Sequence, residues 1–266
     1  MTLPTLFIPH GGGPCFFMDP AGGAPDPMWQ PMQAYLAGLI SSLAERPRAI
    51  LLVSGHWEER EVTVHTGDGR PLLYDYYGFP EHTYRLRWDA PGAPDVALRA
   101  KALLEGAGFA VGEERARGWD HGVFIPMKVA VPDADIPLAQ LSLRHDLDPA
   151  AHVAIGRALA PLRDEGVLIV GSGMSFHNLR ERGPHATARA DEWDAALTAA
   201  VIDPDPERRA ARAIDWETLP QARYAHPREE HLLPLMVVLG AGGEGPAARD
   251  FAGHVLGWAV SGYRFG

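Results

Sequence analysis

The sequence predicts one α/β domain spanning residues 1–266, with a central, mostly parallel or mixed sheet and helices on both faces. Three observations carry this expectation. Short apolar runs alternate with stretches of helical periodicity along most of the 266 residues. No repeat of fixed period and no shift in composition divides the chain. Several apolar runs stop at small-residue turns, as buried parallel strands do before their crossover helices.

Residues 5–8 (TLFI) read as a short buried strand, followed by a glycine-rich turn at 10–13. Apolar residues at helical spacing predict a helix over 28–43. Residues 48–53 (RAILLV) read as a sheet-centre strand, and 61–66 alternate as a half-buried one. A polar, aromatic loop follows at 74–80. A helix is expected over 93–106, then a charged turn over 113–122 and a short helical segment over 123–129. Residues 136–143 are a strand, and 149–165 a strongly periodic helix stopped by Gly166. Residues 167–170 (VLIV) are the next buried strand. A polar loop covers 181–190, a helix 191–201, and a charged, exposed stretch 203–217. A helix opens at 226 with an acidic first turn that suits its dipole and runs to 239. A Gly/Ala loop (241–248) and a last strand (254–263) complete the chain.

Composition removes several classes. Lys plus Arg number 24 and Asp plus Glu 34, a formal net charge of −10, which disfavours a nucleic-acid partner. Cys15 is the one cysteine, so no internal disulfide is possible and a thiolate zinc site is nearly ruled out. The N-terminus lacks a basic segment ahead of a long apolar core, and no apolar run approaches the roughly 20 residues that cross a membrane. The expected compartment is the cytoplasm. If a metal is bound, His, Asp and Glu must hold it.

There are twelve histidines, and their placement matters more than their number. His10, His56 and His177 each follow an apolar run within several residues. Ligands of open α/β sheets collect at the carboxyl ends of strands, so three strands would bring these imidazoles to one edge. His231 sits in the expected first turn of a helix, and His121 in a glycine-flanked turn. A shared metal site outweighs five unrelated surface or core histidines. His65, His145, His152, His185 and His254 read as structural or surface residues, and His82 and His226 fit either reading. Neutral imidazole suits Zn²⁺ and Fe²⁺. Catalytic sites commonly use three protein ligands and keep open positions, which leaves two of the five histidines for acid/base work near neutral pH.

A serine-hydrolase reading competes. His10-Gly11-Gly12-Gly13 looks like an oxyanion-hole run, and Gly173-Met174-Ser175-Phe176-His177 is one residue from a G-x-S-x-G elbow. The last glycine is replaced by His177, and His56 and His121 go unexplained. No phosphate-binding loop is present.

Six motifs occur in order: PHGGGP (9–14), SGHW (54–57), DYYGFP (75–80), WDHGVF (119–124), GSGMSFHNL (171–179) and EEHLLPL (229–235). Together they resemble the class III extradiol ring-cleavage dioxygenases, in particular the 4,5-DOPA extradiol dioxygenase-like branch. The resemblance implies an enzyme that uses O₂ to open a catechol ring beside its paired hydroxyls. It implies one Fe²⁺ or Zn²⁺ ion per chain held by His10, His56 and a third ligand, either His231 or its neighbour Glu230. It also implies that His177 and His121 move protons, with His177 a possible fourth ligand in the resting state. Tyr76, Tyr77 and Phe79 are candidate contacts for the aromatic substrate. A zinc hydrolase or a non-catalytic metal-binding protein on the same scaffold is the alternative.

Overall fold

A computed structural model describes residues 2–266. One eight-stranded mixed sheet organises it, in the order β4-β3-β5-β2-β6-β1-β8-β7. The strands are β1 (Thr5–Pro9), β2 (Ala49–Glu59), β3 (Val62–His65), β4 (Val111–Glu114), β5 (Leu138–Arg144), β6 (Val167–Gly173), β7 (Ala247–Val255) and β8 (Trp258–Phe265). The four central strands, β5-β2-β6-β1, are parallel. At one side β8 and β7 continue antiparallel. At the other, β3 runs antiparallel to β5 and parallel to β4.

The helices are α1 (Gln30–Ala37), α2 (Pro94–Gly106), α3 (His121–Ala130), α4 (Pro149–Leu159), α5 (Thr187–Val201), α6 (Pro206–Ile214), α7 (Ala222–Ala225) and α8 (Leu233–Gly242). Strand side chains alternate between faces, and β6 shows how both faces are covered. Ser172 donates to the Gly122 carbonyl on α3. Its neighbours Gly171 and Gly173 point the other way, against the backbone of Pro234 and His231. Both faces are therefore dry, and β1 and β6 are buried at every position. All ten residues of α8, LPLMVVLGAG, are buried as well, as expected of a helix apolar on every side.

The structure departs from the sequence reading at several places, each with a physical reason. The first helix ends at Ala37, where Gly38 caps it, rather than at residue 43. β2 continues to Glu59, with a register shift between Val53 and Glu58, so His56 lies inside the irregular end of the strand. β3 is buried at all four positions rather than half-buried. β4 runs into what reads as a charged turn, and β7 reaches from the end of the expected loop to the start of the expected last strand, which is broken by the turn before β8. Both are edge strands, and β7 is mostly open to solvent. Residues 203–217 are not simply exposed. Asp205 caps α6 by accepting from the Glu207 and Arg208 amides. Arg209 is buried and donates to the Asp203, Gly243 and Gly245 carbonyls. The expected helix from 226 to 239 splits. α8 starts only at Leu233, with Pro234 in its first turn, a favoured place for proline. His231 therefore belongs to the turn before the helix.

Candidate metal centre

β2, β6 and β1 lie side by side and end at the same edge, and the site forms there. His10 directly follows Pro9 of β1, and its amide donates to Gly173 O at the end of β6 (3.1 Å). The His56 amide donates to Ser54 Oγ at 3.2 Å, within the bulged end of β2. His177 lies four residues past β6 and is tied by its amide to Ala225 O (3.0 Å). His121 begins α3, and its amide donates to Asp75 Oδ1 at 2.9 Å. The turn carrying His231 rests on the strand ends, with Met174 N donating to His231 O at 3.1 Å. A Cβ on Gly173 would stand 2.1 Å from that carbonyl, so only glycine lets the turn approach so closely.

These five histidines converge. Ring centroids of His10 lie 5.0 Å from His56, 5.4 Å from His121 and 5.2 Å from His231. Those of His56 and His121 are 3.9 Å apart, and His177 stacks on His231 at 3.4 Å. Nε2 of His56 and Nε2 of His231 face each other at 3.1 Å. Two imidazole ligands about 2.0–2.1 Å from one ion, at right or tetrahedral angles, stand about 2.8–3.4 Å apart, so this separation fits a shared metal. Two sets of donor atoms lie within 4.8 Å of one another: His10, His56 and His121, and His177, Glu230 and His231. The short His56–His231 approach joins them.

His10 carries the plainest sign of an intended ligand. Both ring nitrogens are buried and neither has a hydrogen-bond partner, a costly condition unless something else pairs with them. Burial first, and then repulsion among the neighbouring imidazoles, holds His10, His56 and His231 well below the usual histidine pKa. They are neutral at physiological pH, as metal ligands must be.

Two carboxylates orient the rings. Glu230 Oε1 lies 2.8 Å from Nδ1 of His231 and 3.2 Å from Nδ1 of His177. Asp75 Oδ1 lies 2.8 Å from Nδ1 of His121, and Asp75 Oδ2 3.6 Å from Nδ1 of His56. Burial raises both carboxyl pKa values, but the hydrogen bonds from His121 and His177 outweigh it and hold both below the ordinary carboxylate range. An ionised carboxylate accepts only, so the close Nδ1 atoms of His121 and His231 carry the protons and their Nε2 atoms present lone pairs. Behind His56, the fully buried Asp120 accepts from Ser54 Oγ (2.7 Å), Gln140 Nε2 (2.6 Å) and Arg117 Nη2 (3.2 Å). Arg117 in turn donates to His56 O at 3.0 Å.

The cluster opens into a cavity of about 610 Å³ that the GGG run, Cys15, Met18, Trp29, Met174, Leu179, Arg182, Leu256 and Trp258 also line. Tyr76 is buried in its wall, with its hydroxyl donating to Thr83 O at 2.6 Å and its ring 5.8 Å from that of His121. Phe79 packs over Gly13, where a Cβ would lie 2.7 Å from the ring in a positive-φ conformation. Tyr77 stands at the mouth, 90% exposed.

Other sequence readings fall outside the site. Ser175 is fully buried, and its Oγ accepts from the Ser261 amide (2.8 Å), so it is no elbow nucleophile. His226 is a core residue between Trp193 and Trp216, with Nε2 2.9 Å from Ser175 O. His82 lies 3.1 Å from Phe17 O. His65 and His152 are buried and hydrogen-bonded to backbone. Sequence reasoning missed Asp75 and Asp120. Asp75 had a signal, since it opens the DYYGFP motif, but its partner His121 is 46 residues away.

Converging neutral imidazoles at the carboxyl edge of an α/β sheet, beside a largely apolar cavity, make a site suited to a metal ion and a small organic substrate. The chain belongs to the family described as the catalytic LigB subunit of aromatic ring-opening dioxygenase, whose pattern matches residues 4–262. It is 37% identical to the dioxygenase tasH of Hapsidospora irregularis, over 99% of this chain and 85% of that one. It is 36% identical to the 4,5-DOPA dioxygenase extradiol of Beta vulgaris, over 92% and 88% of the two chains. The protein of the same name from Escherichia coli K12 is 33% identical over 90% and 85%. The crystal structure of an uncharacterized Escherichia coli K12 protein superposes with a TM-score of 0.79 at 30% identity, covering 99% of this chain and all of that one.

Proposed function

We propose that the chain is an extradiol dioxygenase that opens a catechol-type ring and incorporates both atoms of O₂, with residues 1–266 acting as one catalytic domain in the cytoplasm. The observation that carries this is the His10 ring, buried among His56, His121 and His231 with both nitrogens unpartnered. In this reading His10, His56 and His231 hold one Fe²⁺, in a site that an imidazole set also makes acceptable to Zn²⁺. Bound Fe²⁺ supplies a Lewis acid for the two catechol oxygens and a redox-active centre for O₂. Glu230 is a holder rather than a ligand, because its carboxylate sits on the Nδ1 side of His231.

The remaining work falls to this chain's own side chains. His121 keeps its Nδ1 proton on Asp75 and offers Nε2 as the base for a catechol hydroxyl. His177 holds its Nδ1 toward Glu230 and delivers a proton as the ring opens. It also lies close enough to the cluster to be a fourth ligand when no substrate is bound. Tyr76 and Phe79 flank the ring, and Tyr77 closes the mouth over it. The mostly apolar wall excludes water from the reacting atoms.

Protein loaded anaerobically with Fe²⁺ tests the reading. On admission of air, a colourless catechol is expected to give a yellow ring-opened product with one O₂ consumed per ring. Zinc-loaded protein is expected to consume none. Full iron loading with no oxygen uptake on any catechol would sink it.

A further inference from the structure

His56 and His231, whose Nε2 atoms face each other at 3.1 Å, come from two segments that pack directly together. His56 lies in the stretch of β2 where pairing with β5 breaks after Val53, and the ladder resumes at Glu58, opposite Leu143. The turn before α8 rests on this stretch. A Cβ on Gly55 would stand 3.2 Å from Glu230 O and 3.3 Å from the Cα of His231.

Arg228 spans the two segments. Its guanidinium grips the Glu58 carboxylate twice, Nη1 on Oε1 at 2.5 Å and Nη2 on Oε2 at 2.6 Å. Nη1 also lies 3.4 Å from Oε2 of Glu230, the carboxylate whose Oε1 faces Nδ1 of both His231 and His177. The two glutamates of the turn are thereby divided. Glu229 accepts from Arg223 Nη1 at 2.6 Å, whereas Glu230 faces the histidines. The other cationic group near Glu58 is His145, 3.3 Å away and largely exposed.

We propose that Arg228 is a positioning residue. By clasping Glu58 to Glu230 it sets the spacing of His56 and His231 and slows the escape of the ion they share. The proposal rests on the reading that these two histidines hold one metal. A doubly bonded guanidinium and carboxylate fix orientation as well as distance. Arg228 is half exposed, and such a pair adds little to the stability of a fold. Its effect is therefore on the placement of the ligands.

The test follows zinc release from Zn²⁺-loaded protein into a chromophoric chelator, beside the visible spectrum of Co²⁺-loaded protein and urea unfolding of the metal-free chain. Arg228→Gln is expected to release zinc about three- to tenfold faster and to shift the cobalt bands, with the metal-free urea midpoint unchanged. Arg228→Lys should restore part of the retention, since an ammonium lacks the planar fork. Glu58→Gln should match Arg228→Gln, and the double variant should release zinc no faster than either single one. A wild-type release rate in Arg228→Gln, a double variant that multiplies the two effects, or a loss that follows the metal-free midpoint overturns the clasp and leaves the shared site intact. If His56→Ala and His231→Ala retain zinc as the wild type does, the metal reading fails and the clasp goes with it.

Discussion

His10 shows how much can rest on a single residue. It sits where the first strand ends, loses both nitrogens to burial, and regains a partner only if an ion joins it. His10→Ala is therefore expected to bring metal content from one ion per chain to near zero, measured by elemental analysis after dialysis. His177→Gln and His121→Asn should behave differently. Each should retain the ion while kcat falls about 10²- to 10⁴-fold, the usual contribution of a positioned acid or base. Loss of metal in either variant would make that residue a ligand instead. His226 tests the electrostatics away from the ion. Burial lowers its pKa from 6.5 to about 4. The unfolded chain therefore binds a proton there that the folded chain refuses, so stability present above pH 6.5 is lost as pH falls toward 4. The loss is about 3 kcal/mol over that window. Urea unfolding at pH 7 and pH 4.5 should show a smaller pH dependence in His226→Gln than in the wild type.

Among the elements, the turn before α8 matters most. It places His231 and Glu230 over the ends of β2 and β6, and Gly173 makes room for it. Gly173→Ala is expected to weaken metal binding and to destabilise the fold by about 1–3 kcal/mol. Glu230→Gln should cost about 10- to 100-fold in metal affinity, since it loosens the ring it orients. Full affinity in both variants, by competition with a chelator, would remove the turn from the account. The central strands were legible because TLFI, RAILLV and VLIV are uninterrupted apolar runs, the pattern of strands covered on both faces. The edges were not. Neither VGEE of β4 nor AARDFAGHV of β7 contains such a run, and their pairing depends on neighbours that only the folded chain supplies. The histidine cluster was legible because three of its members follow apolar runs. The roles of Asp75 and Glu230 were not, because which nitrogen a carboxylate faces depends on side-chain orientation. Position 231 reads as helix because the apolar periodicity beyond it is strong, whereas the helix begins two residues later, with Pro234 in its first turn.

At the scale of the molecule, the sheet is a platform whose carboxyl edge gathers residues from distant parts of the sequence, from His10 to His231. Metal binding should therefore stabilise the whole chain. An ion at about 100 times its Kd adds about 2.7 kcal/mol, or roughly 5–10 °C in melting temperature for a protein of this size. A chelator should reverse the shift. The most direct test of the central claim is diffraction at the iron absorption edge from crystals loaded anaerobically with Fe²⁺. The account predicts one anomalous peak, bonded to a ring nitrogen from each of His10, His56 and His231, with the Glu230 carboxylate outside bonding distance. A peak held by Glu230 without His231, or no peak in this cluster at full loading, would contradict it.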